Sequence, residues 1–103
     1  MHLQAPGTSE WRSYSMANAP REDRILQLYI RLLDGGAMSR YLTERAAGGG
    51  CHPCPRPAGT FCLRNGTRPL LMVASGTGVA PMVSMLQQMI ATADDCPVTL
   101  SFG

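Results

Sequence analysis

Lysine is missing from this 103-residue chain: all nine basic side chains are arginine, set against seven acidic ones for a net charge of +2. The arginines are scattered from Arg12 to Arg68. That spread lacks the basic stripe or patch by which a protein grips nucleic acid, so that class of function is excluded. Arginine's planar fork nevertheless suits phosphate and carboxylate groups better than a lysine point charge would. No apolar run approaches the roughly 20 residues needed to span a membrane. Residues 1–7 lack the basic start and apolar centre of a secretion signal. A cytoplasmic location is therefore expected, and with it reduced thiols at Cys51, Cys54, Cys62 and Cys96 in place of two disulfides.

A chain of this length makes one small domain's worth of core and buries only about 60–65% of the surface its unfolded form exposes. Hydrophobic residues make up 45% and charged residues 16%, a globular balance, while 11 glycines and 8 prolines imply many turns. Residues 2–6 and 11–16 read as short extended pieces, with a Pro-Gly turn after the first. Residues 25–33 alternate Leu26, Leu28, Ile30 and Leu32 with Gln27, Tyr29 and Arg31, which predicts a half-buried strand. Asp34, Gly35 and Gly36 break that strand, and residues 38–47 have the spacing of a short helix. The pattern is lost over 48–59, where glycine and proline continue neither helix nor central strand. Residues 60–64 are expected to recover as a short strand.

Residues 70–74 form a wholly apolar run, expected to be a strand buried on both faces. A glycine loop follows. From Pro81 onward, Met82, Met85, Leu86, Met89, Ile90 and Ala93 trace one face of an amphipathic helix, with the proline in its favoured first turn. Residues 98–102 return to strand. Strand, loop, helix and strand make a βαβ unit with parallel strands. The expected class is α+β to α/β: a partial antiparallel β-barrel over residues 1–64, then one βαβ unit over 65–103. A two-stranded sheet is rarely stable alone, and its open edge favours self-association.

Three short motifs carry chemistry. In Gly76, Thr77 and Gly78, lying between a strand and a helix, small residues let backbone N–H groups approach a pyrophosphate. A tight turn requiring glycine for positive φ is the competing reading. Arg12, Tyr14 and Ser15 fall on an extended segment, where an arginine fork can clamp a diphosphate and an aromatic ring can lie against a flavin. The plain alternative is a strand with a snorkelling arginine and a core tyrosine. Gly36, Met38 and Ser39 open the short helix, whose first N–H groups can hold a phosphate; otherwise Ser39 is an N-terminal cap. Cys51, His52, Cys54 and Cys62 raise zinc or a redox pair, but the spacing suits neither zinc nor a two-iron cluster. No residue is assigned to a metal.

In the order RSYS, the Gly36 segment and GTG, these motifs resemble those of the flavin-dependent reductase components of bacterial aromatic-ring dioxygenases, in the ferredoxin-NADP reductase superfamily. The resemblance runs nearly end to end. It implies FAD as cofactor, NADH or NADPH as substrate, and electron transfer to an iron–sulfur centre that this chain does not carry, in a ferredoxin domain or oxygenase partner. It implies that Arg12 meets the flavin diphosphate, that Tyr14 stacks on the isoalloxazine and that Ser15 hydrogen-bonds near its N5, the last two taken as the catalytic pair. Gly36, Met38 and Ser39 would hold the pyrophosphate, and Gly76, Thr77 and Gly78 would line the nicotinamide-nucleotide cleft. The family's Gly-Pro-x-Gly-x-Phe segment survives only as Pro57, Gly59 and Phe61, and Ser75 replaces a usual glycine. The earlier barrel strands and the later nicotinamide domain lie outside the sequence, so the expectation is a middle slice of a reductase. Two other classes stay open: a non-catalytic nucleotide-binding remnant, and a small zinc-binding module on Cys51, Cys54 and Cys62.

Overall fold

The computed structural model describes residues 2–5, 7–44 and 59–103. Cys51, His52 and Cys54 therefore lie outside the described residues, as do Pro57 and the last three positions of the expected first helix. The chain divides into two compact units, one formed by Met1–Tyr14 with Ile30–Gly59 and the other by Ser15–Tyr29 with Thr60–Gly103.

In the first unit, strand β1 (His2–Gln4) pairs antiparallel with β2 (Trp11–Ser13), Leu3 lying opposite Arg12. The connection is closed by Ala5, whose carbonyl accepts from both the N–H and the hydroxyl of Thr8, at 3.1 and 2.9 Å. Gly7 supplies the positive φ of +80° that this turn requires. Helix α1 (Ala37–Glu44) follows a turn in which Gly35 also has a positive φ, +78°. Ala5 and Met38 are the buried apolar side chains of this unit among the described residues.

In the second unit, strand β3 (Leu70–Ala74) runs parallel to β4 (Val98–Phe102), in register from Leu70 opposite Val98 to Ala74 opposite Phe102. Between them lie one 3-10 turn (Gly76–Val79) and helix α2 (Ala80–Ala91), with Pro81 in the first helical turn. The expected βαβ order thus forms, with an extra tight turn between strand and helix. The core is built from small residues and thioethers: Ala17, Ala19, Met72, Ala80 and Met89 are buried, and Met82 and Met85 half-buried. Methionine suits such a core because it fills irregular space without branching.

Four sequence expectations need correction. Two residues expected on the apolar face of α2 are not there: Ile90 is 79% exposed, and Ala93 lies past the end of the helix with a φ of +53°. Residues 25–33 form no strand: the segment touches its neighbour through one antiparallel bridge, Met16 to Leu28, and Leu26 and Leu32 are exposed. A strand needs a continuous hydrogen-bonding partner, and here the Ile25 carbonyl and the Gln27 N–H are taken instead by the Asn18 side chain, and the Ile25 N–H by the Asp23 carboxylate. Residues 60–64 are likewise irregular. Strand β3 is buried on one face only, with Met72 5% exposed but Leu71 71% and Val73 65%. An apolar run shows what a strand would bury, and among the described residues nothing covers that second face.

Candidate functional site

The first unit carries Arg12, Tyr14, Gly36, Met38 and Ser39. Strand β2 holds Arg12, whose guanidinium meets the Glu10 carboxylate at 3.2 Å with both side chains more than half exposed. A pair so open to solvent contributes little to stability, so the arginine can change partner at small cost. Tyr14 follows the strand and is partly buried. Burial pushes its phenol above the ordinary range, while the nearby positive charge of Arg12 pulls it down. The ring therefore stays neutral through physiological pH, beside a cation.

At the start of α1, the glycine sits in a tight space. A Cβ on Gly36 would come within 3.3 Å of the Ser39 hydroxyl and 3.4 Å of the Leu33 carbonyl. That hydroxyl accepts a hydrogen bond from the Leu33 N–H at 2.8 Å, and the Gly36 N–H donates to the Leu33 carbonyl at 3.2 Å. Ser39 thus sits inside the helix and ties the incoming chain to its first turn, a role different from the N-terminal cap the sequence offered. Its hydroxyl proton is still available to a phosphate oxygen. Met38 turns its side chain into the core, 8% exposed, which leaves its backbone N–H as the group it can offer.

The second unit carries Ser15 and the Gly76 loop. Ser15 is exposed. Gly76 adopts a φ of +51°, which disfavours any side chain. Gly78 differs, since its φ is not positive and a Cβ there would meet nothing within 4 Å. Packing among the described residues gives no reason for glycine at that position. The Gly78 N–H is engaged with the Ser75 carbonyl at 2.9 Å and the Ala80 N–H bonds the Thr77 carbonyl, so the leading N–H groups of the turn remain the donors for an anion. Thr77 is exposed.

Sequence reasoning missed a polar cluster in this same unit. Asn18, 2% exposed, donates to the carbonyls of Ala19 and Ile25 at 3.0 and 2.9 Å and accepts from the Gln27 N–H at 2.7 Å. Its carbonyl accepts from the Ser84 hydroxyl at 2.9 Å, and the Ala19 N–H donates to the Gln87 side chain at 3.1 Å. No periodicity in the sequence pairs residues 66 to 68 positions apart. Among the described residues, no group of three His, Cys, Asp or Glu side chains is placed to hold a metal, and Cys62 and Cys96 are free thiols. No helix among them is long and apolar enough to cross a membrane.

Comparison with known proteins extends this geometry. Residues 1–62 match the model of the oxidoreductase FAD-binding domain, and residues 72–103 match that of the oxidoreductase NAD-binding domain. The chain is 43% identical over 101 residues to the anthranilate 1,2-dioxygenase electron transfer component of Acinetobacter baylyi, covering 98% of this chain and 29% of that protein. It is also 43% identical over 102 residues to methane monooxygenase component C of Methylosinus trichosporium, covering 98% of this chain and 30% of the relative. Among solved structures, the Amycolatopsis cytochrome P450 reductase GcoB superposes with a TM-score of 0.87 at 31% identity, over 99% of this chain and 32% of that one. The chain thus spans about 30% of the length of the curated relatives it matches.

Proposed function

Because this chain belongs to the oxidoreductase FAD-binding domain family, of the ferredoxin-NADP reductase type found in ring-dioxygenase reductase components, we propose that it serves NAD(P)H-driven electron transfer through FAD. The observation that carries the reading is Gly78: a glycine that neither its backbone conformation nor packing among the described residues requires, set beside Gly76 between β3 and α2. Backbone left bare in this way admits a dinucleotide phosphate to the leading N–H groups of the turn.

The residues present fit FAD. Arg12 has a guanidinium paired with an exposed carboxylate, suited to bidentate contact with a diphosphate oxygen pair. Gly36, Ser39 and the Met38 N–H form the helix start that would take the remaining phosphate charge. Tyr14 would lie against the isoalloxazine as a neutral ring, and the Ser15 hydroxyl would donate near N5. Gly76, Thr77 and Gly78 would receive the nicotinamide nucleotide. When bound, FAD supplies the change from two-electron reduction by NAD(P)H to one-electron delivery toward an iron–sulfur centre; the protein's part is to bind and orient.

The reading divides the chain into a flavin segment over 1–64 and the start of a nicotinamide segment over 65–103, a division supported by the extents of the two family matches. It places the protein in the cytoplasm, with a ferredoxin domain or oxygenase component as electron acceptor. Self-association through the two-stranded sheet of β3 and β4 belongs to the same proposal.

The test is to add FAD to the purified chain, remove the excess, and record the visible absorbance beside the circular dichroism. Retained flavin that is lost in Arg12→Ala supports the reading. A folded chain that retains none overturns it and leaves a nucleotide-binding remnant.

A further inference from the structure

The cluster around Asn18 is the most completely bonded polar feature among the described residues, and the proposed chemistry leaves it unused. Both Asn18 amide hydrogens and its side-chain oxygen have partners inside the 18–27 loop, so the loop is locked to itself. The Ala17 N–H adds a bond to the Gln27 carbonyl at 2.8 Å. Beside the burial of Ala17 and Ala19 in the core, a second pair of bonds joins the locked loop to the rest of its unit, from the Ser84 hydroxyl to the Asn18 carbonyl and from the Ala19 N–H to the Gln87 side chain. Ser84 and Gln87 lie three residues apart on α2, hence on one face of the helix. They interrupt a helix otherwise rich in apolar residues.

We infer that Ser84 and Gln87 are positioning residues: together with Asn18 they form a latch that fixes the Ser15 segment in register with the helix that follows the Gly76 loop. This rests on the reading of Ser15 and of Gly76, Thr77 and Gly78 as the flavin-edge and nicotinamide residues. Ser15 is three residues from the first latch bond, and the glycine loop runs directly into α2; both belong to one compact unit. Hydride transfer demands reacting atoms about 3–3.5 Å apart, and a misplacement of about 1 Å can cost about a hundredfold. Asn18 is buried, so a slip of the loop along α2 would leave its carbonyl in the interior without the Ser84 hydroxyl. None of the three residues needs to touch a cofactor for this.

The test compares the wild-type chain with Ser84→Ala, Gln87→Glu and the double variant Ser84→Ala, Gln87→Ala, each with FAD added and with circular dichroism as a fold control. Backbone amide exchange by NMR is read at residues 15–19, together with the FAD dissociation constant and the midpoint potential of the bound flavin. In the double variant, exchange speeds up about tenfold at Ala19 and also at Ala17, the hydrogen-bonded amide nearest Ser15, and the flavin potential moves while FAD affinity changes less than about twofold. Gln87→Glu keeps an acceptor for the Ala19 N–H and behaves as wild type. Faster exchange confined to Ala19, with an unmoved potential, overturns the latch. If the double variant does not fold, Ser84→Ala carries the same readout with a smaller change. If the wild type binds no flavin, the cofactor reading fails, and exchange at Ala17 alone decides the latch: unchanged exchange sinks it, faster exchange upholds it.

Discussion

Gly76 and Gly78 stand two residues apart and answer to different constraints. At Gly76 the φ of +51° is the constraint, so Gly76→Ala is expected to destabilise the fold by about 1 kcal/mol through backbone strain. At Gly78 a methyl group meets open space, so Gly78→Ala should leave stability within about 0.5 kcal/mol. It should nonetheless weaken NADH binding about tenfold, or about 1.4 kcal/mol. Denaturant titration and NADH titration of the two variants separate these effects. Equal NADH affinity in Gly78→Ala and wild type would reduce the loop to a tight turn.

Tyr14 offers a second residue-level outcome. Its phenol is raised by burial and pulled down by Arg12. For a raised pKa, the stabilising contribution is complete below the unfolded value of about 10 and is lost as pH climbs through the folded value. Removing the cation in Arg12→Ala lets the phenol rise further, so the loss starts at the same pH but grows and runs on to higher pH. Tyrosinate absorbance, followed against pH with Tyr29 and Tyr41 replaced by phenylalanine, should show Tyr14 ionising at higher pH in Arg12→Ala; a fall would contradict the assigned cause.

At the scale of elements, α2 ends in a left-handed residue that is not glycine. Ala93 has a φ of +53°, its N–H bonds the Ile90 carbonyl, and the Asp94 N–H reaches back to Met89 at 2.9 Å. This is the closing geometry that glycine favours. Ala93→Gly is therefore expected to stabilise the protein by about 0.5–1 kcal/mol, net of the added freedom of the unfolded chain, visible as a higher thermal midpoint. The same helix shows what was legible in the sequence. The apolar run Leu70–Ala74, the glycine loop and Pro81 announced strand, turn and helix at nearly their observed bounds, because each signal acts within a few residues. The expected strand at 25–33 failed for the opposite reason. Alternation marks which side chains avoid water, but pairing is decided by a neighbour, and Asn18 claimed the backbone groups first. Ser84 and Gln87 were invisible for the same cause, since their significance lies in partners 66 and 68 residues away.

On the scale of the molecule, the unburied face of β3 is the outstanding fact. Leu71 and Val73 lie opposite Thr99 and Ser101 of β4 in the register, so the exposed face mixes large apolar and small hydroxyl side chains. Parallel sheets are ordinarily covered on both faces, and open apolar surface drives association. Sedimentation should show concentration-dependent mass for the wild type, and a monomer for the double variant Leu71→Thr, Val73→Thr, whose replacements keep strand propensity. A monomeric wild type at all concentrations would remove self-association from the proposal.

The Asn18 cluster has a further consequence for how the chain is made. A ribosome adds about 5–20 residues per second, so Ser84, 66 residues beyond Asn18, is polymerised roughly 3 to 13 s after it. During that interval the 18–27 loop can lock to itself but has nothing to dock on, whereas β1 and β2 already have each other. Slowing translation between the two positions should prolong the period in which nascent chains are cut within residues 15–29 by an added protease.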